Sequence, residues 1–191
     1  SLHDALPIWE KLTLKNVLIG EVWICSGQSN MDTRMKGYTG QPIAGAVDII
    51  TEAKPSTPIR CCTLNHQKSL TRMEECAATW FQNDPYGVSE SSATAYFFAR
   101  KLNETLDVPV GIVSCAYGGA RIESWTPKEI LETYPDEDLS REAIEAQVHY
   151  VRPYLAYNAM LNPVKGYTVK GFIWYQGCSN VGRHDQFVER M

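Results

Sequence analysis

The sequence predicts a three-layer α/β/α fold built around a parallel sheet. Three apolar segments, residues 22–25, 110–116 and 169–175, have the length of buried strands, and each runs into a turn rich in glycine or amide residues. An amphipathic helical pattern precedes the second of these segments, as in a strand, helix, strand unit. The 191 residues allow one domain with a sizeable core.

The first part of the chain predicts two strands and little regular structure between them. Residues 8–18 have β-like composition and lead into a strand that begins at Glu21. A brief helix follows Ser29, and residues 33–45, with three glycines and a proline, predict a loop over the candidate site. Residues 48–54 predict a short helix and residues 59–64 a strand.

The middle of the chain predicts a long loop, a helix and a strand. Residues 66–84 are polar and irregular, which predicts a loop anchored by Trp80. Ser91 or Ser92 is a good N-cap for an amphipathic helix that ends at Leu106, before the strand at residues 110–116. A helix between two strands predicts a right-handed parallel crossover.

The last third of the chain predicts two helices and a final strand. Thr126 is expected to cap a helix with Pro127 at its first position. A second, amphipathic helix is predicted over residues 139–150 with its cap near Ser140, followed by a short segment at 154–161 and a strand at 169–175. Residues 185–191 read as a helix that has only begun, so we expect the natural chain to continue.

Composition excludes two classes of partner. The net charge is −4, and no cluster of lysine and arginine occurs, which argues against a surface that binds nucleic acid. Apolar residues make up 44% of the chain, as in ordinary globular proteins, and no apolar run approaches the length of a membrane span.

The segment around which the chain is organised is residues 20–31, GEVWICSGQSNM. It reads as an apolar strand whose turn exposes Ser29. A serine at the carboxyl end of a buried strand, just before a helix, is well placed to attack a carbonyl, because backbone N–H groups there face the developing oxyanion. Gly27 lets the chain bend. The alternative to a nucleophile is that residues 26–30, SGQSN, form an ordinary polar turn after the strand.

Two further blocks, GGARIESW at residues 118–125 and WYQGCSN at residues 174–180, follow the other two apolar segments. Together with GQSNM they resemble the SGNH hydrolases, and more closely the sialate O-acetylesterase and acetylxylan esterase branch of that superfamily. The corresponding blocks there read WGGTxIExW and WYQGxSN, in the same order. The resemblance covers residues 10–191 and implies a flavodoxin-like sheet whose C-terminal part is missing from this chain.

The resemblance assigns roles to three residues. Ser29 would be the nucleophile, Gly119 would donate its backbone N–H to the oxyanion, and Asn180 would donate an amide N–H to the same oxyanion. Gly118 is the alternative to Gly119. Structural alternatives are a turn glycine at this position and a helix-capping amide at Asn180.

Four neighbouring side chains are expected to shape the site: Gln28, Arg121, Glu123 and Gln176. Arg121 and Glu123 are predicted to form an ion pair that braces the glycine turn, with a contact to the sugar as the alternative. Neither the residues nor the resemblance implies a metal or an organic cofactor.

The sequence departs from the family pattern at Cys178, where many relatives carry glutamate. Where that glutamate orients the catalytic histidine, cysteine cannot replace its charge. The resemblance then requires an aspartate and a histidine from a later DxxH block, which this chain lacks. The four histidines, His3, His66, His149 and His184, have no matching context, and His184 is expected to face solvent at the start of a helix.

The domain boundaries predicted are a non-native leader at residues 1–8 and an incomplete SGNH esterase domain at residues 9–191. The leader, SLHDALPI, does not resemble the β-structure that precedes the serine block in the family. Residues 3–8 can also be reverse-translated into the end of a widely used sequencing adapter. We therefore expect the natural gene to continue upstream.

Six cysteines show no metal spacing, since no CxxC occurs. Cys25, Cys115 and Cys178 lie at predicted strand ends, where a small buried thiol is expected. The other three, Cys61, Cys62 and Cys76, could form one disulfide if the protein is exported.

The function expected from the resemblance is hydrolysis of acetyl esters on sugars, either sialic acid or plant polysaccharide, by a serine nucleophile. This chain is expected to have little or no activity by itself. One alternative is a non-catalytic carbohydrate-binding protein on the same scaffold. A thioesterase or lipase of the wider superfamily is disfavoured, because those proteins more often begin with a GDSL-like block. Because such relatives are often exported, a periplasmic or secreted protein is expected.

Overall fold

The computed structural model describes residues 13–191, so the predicted leader at residues 1–8 lies outside the described residues. The described chain forms a five-stranded sheet in the order β3-β2-β4-β1-β5. The strands are β1 (Glu21–Gly27), β2 (Ile59–Leu64), β3 (Ala78–Gln82), β4 (Val110–Ala116) and β5 (Gly171–Tyr175). All neighbouring pairs are parallel except β2 with β3. The predicted α/β fold with a mostly parallel sheet is confirmed.

Short helices connect and flank the strands. They are α1 (Ser29–Asp32), α2 (Ala46–Glu52), α3 (Pro85–Glu90), α4 (Ala93–Leu106), α5 (Ile122–Trp125), α6 (Lys128–Leu131), α7 (Arg141–Ala146) and α8 (His184–Arg190). A π-helical turn at Tyr157–Leu161 and 3₁₀ turns at Asn162–Val164 and Cys178–Arg183 complete the helical structure. No helix among residues 13–191 is long and apolar enough to cross a membrane.

Both faces of the sheet are covered, because successive side chains of a strand point to opposite faces. On one face Cys25 of β1 and Ile112 of β4 pack with the buried side of α4. On the other face Ile24 and Val113 pack with Trp125 and the π-helical turn. Apolar side chains on both faces explain why these strands read as continuous apolar runs, as buried parallel strands do.

The longest helix, α4, forms where the capping residue and the amphipathic pattern predicted a helix. The Ser92 side chain accepts a hydrogen bond from the Ala95 N–H and caps the helix as predicted. Asp107 ends α4 in a left-handed conformation. The helix joins β3 to β4, and β4 lies parallel and adjacent to β2. This parallel pairing of the strands at residues 59–64 and 110–116 was expected from the strand, helix, strand pattern.

Four sequence expectations are corrected. Residues 78–82, predicted to be loop, form the antiparallel edge strand β3, and Trp80 is 57% exposed rather than an anchor. The helix predicted over residues 139–150 is confined to α7, although Ser140 caps it as expected. Pro127, not Thr126, occupies the N-cap of α6. Among residues 13–18, which were expected to lead into the core as strand or turn, the chain has no strand and is exposed.

Candidate active site

The candidate nucleophile lies where three adjacent strands end together. Gly27, the last residue of the central strand β1, is level with Ala116 of β4 and Tyr175 of β5. Gly27 has φ +139°, and a β-carbon there would lie 2.2 Å from the Tyr175 carbonyl oxygen, so glycine is needed for this close approach. Ser29 follows as the exposed first residue of α1. As predicted, a serine stands at the carboxyl edge of the sheet.

The two glycines after β4 differ in a way that the sequence could not show. The Gly118 N–H donates to Asp32 Oδ2 at 3.0 Å, so this donor is already used. Gly119 has φ +80°, and among residues 13–191 its N–H has no recorded hydrogen-bond partner. Gly119 therefore keeps the free N–H that the predicted oxyanion role requires, while Gly118 does not.

Gln28 joins the serine block to the third block. Its buried side-chain oxygen Oε1 accepts hydrogen bonds from the Gly177 N–H at 3.1 Å and the Ser179 N–H at 3.0 Å. The Gln176 side chain lies beside it, with Nε2 at 3.3 Å from the same oxygen. The predicted site-shaping residues Gln28 and Gln176 thus meet, and one amide oxygen holds the turn after β5 against the turn after β1.

Asn180 joins the third block to the second. The residue is 1% exposed, its Oδ1 accepts from the Ile122 N–H at 3.0 Å, and its Nδ2 donates to Glu123 Oε2 at 2.9 Å. The amide orientation is fixed, because the oxygen faces an N–H donor and the nitrogen faces a carboxylate. One of the two hydrogens on Nδ2 is therefore used by Glu123. The oxyanion role of Asn180 stays a prediction and rests on the other hydrogen.

Glu123 is braced by arginines other than the one expected. Its carboxylate pairs with Arg190 at 2.5 Å and with Arg183 at 3.5 Å. The predicted pair with Arg121 is wrong, because Arg121 is the extended N-cap residue of α5 and side chains two residues apart do not face each other. Arg121 Nε is buried with no partner among the described residues. Glu123 still braces the glycine block, but through α8.

The surroundings of Glu123 keep it ionised. Burial raises the pKa of Glu123, but hydrogen bonds from Asn180, the backbone and Arg190, together with the charge of Arg183, outweigh burial and hold the pKa below its ordinary value of 4.5. An ionised carboxylate at this position accepts from both the amide of Asn180 and the guanidinium of Arg190.

Sequence reasoning missed a polar contact beside Ser29. Asp32, on the same helical turn as Ser29, contacts His66 Nε2 at 3.0 Å and also holds the Gly118 N–H. The His66 ring stacks on Tyr117, with ring centroids 4.3 Å apart. An aspartate three residues after the candidate nucleophile was the available signal, but only the fold brings residue 66 to it.

The other described histidines, His149 and His184, contact other partners than Ser29. His184 is 81% exposed and contacts Asp185 at 3.2 Å, as expected for a solvent-facing residue. His149 was predicted to lie in a helix, but α7 ends before it, and it lies in a turn 6.1 Å from the Tyr117 ring. No hydrogen bond joins the Ser29 hydroxyl to an imidazole within residues 13–191.

The loop at residues 33–45 lines a cavity with Asp32 and His66, consistent with its expected place at the site.

The cysteines divide into buried and exposed thiols. Cys25 and Cys115 are buried as expected, and burial raises the pKa of the Cys25 thiol to about 12. Cys178 was expected to be buried but is exposed, because it opens a 3₁₀ turn beyond the end of β5. All six cysteines lie in the described part of the chain and are free.

The fold and the serine at the carboxyl edge of its sheet place the chain in the class of α/β proteins with a mostly parallel sheet. Residues 19–191 match the profile of the family described as carbohydrate esterase, sialic acid-specific acetylesterase. The chain belongs to that family.

Individual relatives agree with this family. Sialate O-acetylesterases from Pongo abelii and Homo sapiens are each 28% identical to this chain over 178 residues, which cover 89% of the chain and 33% of either relative. The crystal structure of a carbohydrate acetylesterase from Xanthomonas citri is similar, with a TM-score of 0.70 and 28% identity over 84% of this chain and 33% of that one. The chain spans about a third of the length of the curated relatives it matches.

Proposed function

We propose that the protein containing this chain removes O-acetyl groups from sugars, with a sialic acid as the substrate and Ser29 as the nucleophile. The observation that carries the proposal is the meeting of three strand ends, which brings the exposed Ser29 and the Gly119 N–H to the same edge of the sheet; within residues 13–191 this N–H has no hydrogen-bond partner. Support for an acetylated sugar comes from the family and from relatives named sialate O-acetylesterase. Acetylated plant polysaccharide is the alternative substrate.

The reaction would proceed by acyl transfer. The Ser29 oxygen attacks the acetyl carbonyl, the sugar oxygen leaves with a proton, and water then hydrolyses the acetyl-enzyme. Ser29 opens α1, so its own N–H has no acceptor within the helix and can point at the oxyanion. The Gly119 N–H and the second amide hydrogen of Asn180 would complete the oxyanion hole.

A general base is the part that the described residues do not bring to Ser29. His66, the histidine with a carboxylate beside the site, has its Nε2 against Asp32 rather than against the serine hydroxyl. We expect the proton of Ser29 to be taken by a histidine elsewhere in the longer protein. This chain alone should then hydrolyse esters at most weakly. Export of the protein also stays a prediction.

The test is ester hydrolysis by the full-length protein recovered from its source gene, with p-nitrophenyl acetate and an O-acetylated sialic acid as substrates. Ser29→Ala should lower kcat by at least about 10³-fold, because the nucleophile is lost. Ser56→Ala, an exposed serine in the turn before β2, is the matched control and should retain full activity.

Two outcomes would contradict the proposal. Full activity in Ser29→Ala would remove Ser29 as the nucleophile. A folded full-length protein that binds acetylated sugars without hydrolysing them would instead be a non-catalytic carbohydrate-binding protein on the same scaffold.

A further inference from the structure

A shallow cavity of about 420 Å³ lies beside the candidate active site, outside the residues that the sequence singled out. Its walls include His66, Lys68, Tyr117 and His149. Tyr117 directly follows β4 and directly precedes the glycine turn. One wall of the cavity is therefore the same stretch of chain that presents the Gly119 N–H.

The cavity contains a stack of rings. His66 lies on Tyr117 with ring centroids 4.3 Å apart and an interplanar angle of 14°, and His149 lies 6.1 Å from Tyr117. The His66 side chain remains 44% exposed although Tyr117 covers part of it. Exposed ring surface of this kind suits a sugar, because the negative face of a π-system attracts the weakly positive C–H groups of a sugar ring.

The stack is tied to the candidate nucleophile. Asp32 contacts His66 Nε2 at 3.0 Å, and Asp32 follows Ser29 by three residues in α1, a rise of about 4.5 Å along a helix. The same carboxylate holds the Gly118 N–H at 3.0 Å. A molecule in the cavity is thus held next to both the serine helix and the glycine turn.

The charge of the cavity favours an anion. Of the six described residues that line it, none is acidic, while Lys68 contributes an ammonium group and His66 and His149 contribute imidazoles. Lys68 is exposed and forms no ion pair within the described residues. A carboxylate on the bound sugar would give this ammonium a charge-assisted hydrogen bond.

We propose that this cavity is the subsite for a carboxylate-bearing acetylated sugar, with the sugar ring against the stack of His66 and Tyr117 and its carboxylate paired with Lys68. The proposal rests on the proposed function, since it assigns the acid sugar to a place beside Ser29. It assigns to Lys68 the role of favouring the binding of acidic over neutral acetylated sugars.

Binding can be measured without catalysis by NMR of the histidine ring protons of the 191-residue chain. The probes are N-acetylneuraminic acid, which carries a carboxylate, and methyl β-xyloside, which is neutral. The acidic sugar should shift the His66 and His149 signals in a saturable way, while His184, on α8, should not move. The neutral sugar should bind at least about tenfold more weakly, since it lacks the charged hydrogen bond.

Two exposed lysines give a matched pair of variants. Lys68→Ala should weaken binding of the acidic sugar about tenfold, and Lys101→Ala, on the surface of α4, should leave it unchanged. Tyr117→Leu, which removes the stacked ring, should weaken both sugars.

The proposal is overturned if the acidic sugar leaves His66 and His149 unshifted, or if Lys68→Ala binds it as tightly as the unaltered chain. This failure is separable from failure of the proposed function. If Ser29→Ala removes the esterase activity of the full-length protein, the esterase proposal stands even when the cavity binds no acidic sugar.

Discussion

Gly119 and Gly118 are neighbours in the chain, yet a side chain would meet different surroundings at each. At Gly119 φ is +80° and a β-carbon would lie 2.6 Å from the Tyr150 ring, whereas at Gly118 the nearest atom is Asp32 Oδ2 at 3.4 Å, an ordinary contact. Gly119→Ala should therefore destabilise the chain by at least about 1 kcal/mol. Because the turn must shift and displace the Gly119 N–H, kcat of the full-length protein should fall about 10²-fold.

Gly118→Ala is the control for this prediction, because an added β-carbon there makes only an ordinary contact and leaves the turn and its bond to Asp32 in place. Thermal unfolding of the chain and ester hydrolysis by the full-length protein measure the two effects. Equal losses in the two alanine variants would show that the free N–H of Gly119 has no special role.

The hydrogen bonds of Gln28 lead to a second prediction, which concerns stability. Its oxygen accepts from two backbone N–H groups and lies 3.3 Å from a third donor, and the residue is buried. Gln28→Leu leaves these donors unpaired, so the free energy of unfolding should fall by about 2 to 4 kcal/mol. Gln41→Leu, at an exposed loop position, should leave it nearly unchanged in the same urea titration.

Two side-chain contacts mark the limit of sequence reasoning at the site. The three blocks predicted which strand ends would meet, because the carboxyl ends of parallel strands share one edge of a sheet. They could not predict that Glu123 would pair with Arg190, 67 residues away, or that His66 would reach Asp32. Such partners depend on the path of loops, which carry no periodic pattern.

At the scale of elements, the ion pair between Glu123 and Arg190 joins α5 to α8. Both side chains are buried, and Arg190 also contacts Glu137 and Asp136. Glu123→Gln should destabilise the chain by about 3 kcal/mol, because it removes one partner of a buried pair. Glu129→Gln, which removes an exposed ion pair with Arg72, is the control and should change the melting temperature far less.

The same pair predicts a pH dependence. The pKa of Glu123 lies below 4.5 in the folded chain, so the unfolded chain takes up the proton first as the pH falls. The stabilisation is present above about pH 4.5 and is lost as the pH falls through the folded pKa. Melting temperatures measured from about pH 6 to about pH 3 should drop in this range, and the drop should be smaller in Glu123→Gln. An equal drop in both would contradict the assignment.

Elements were predictable where burial imposed a pattern. The strands β1, β2 and β4 lie inside the sheet, and their apolar runs predicted them. Strand β5, at one edge, was predicted by its apolar run FIWY, and α4 by its cap and amphipathic face. Strand β3 was missed because four of its five residues are exposed, so Ala78–Gln82 has no apolar run to distinguish it from a loop. An edge strand is defined by its hydrogen bonds to β2, which a sequence pattern does not display.

At the scale of the whole molecule, packing controls the chemistry of the thiols. Burial raises the pKa of Cys25 and Cys62 to about 12 and that of Cys61 to about 11, and it also raises the pKa of Cys115 and Cys76. Cys178 is exposed. Since the thiolate is the reactive form, the native chain should show one fast thiol at pH 8 and six in denaturant.

A thiol count with a chromogenic disulfide reagent tests this expectation. Cys178→Ser should abolish the fast phase, while Cys76→Ser should affect a slower phase. A denatured, non-reduced chain with four reactive thiols would show that a pair such as Cys62 and Cys76 had formed the disulfide considered for an exported protein.

The contact of Gln28 with the turn after β5 has a consequence for how the molecule is made. The glutamine and its backbone partners are separated by 149 and 151 positions, so a ribosome completes the serine block roughly seven to thirty seconds before it makes the amides that the glutamine binds. Throughout that interval the turn that carries Ser29 can be held only by partners made earlier, such as Ser92, Thr94 and Gly118. The earliest-translated block of the site therefore completes its native contacts only when the last block has been made.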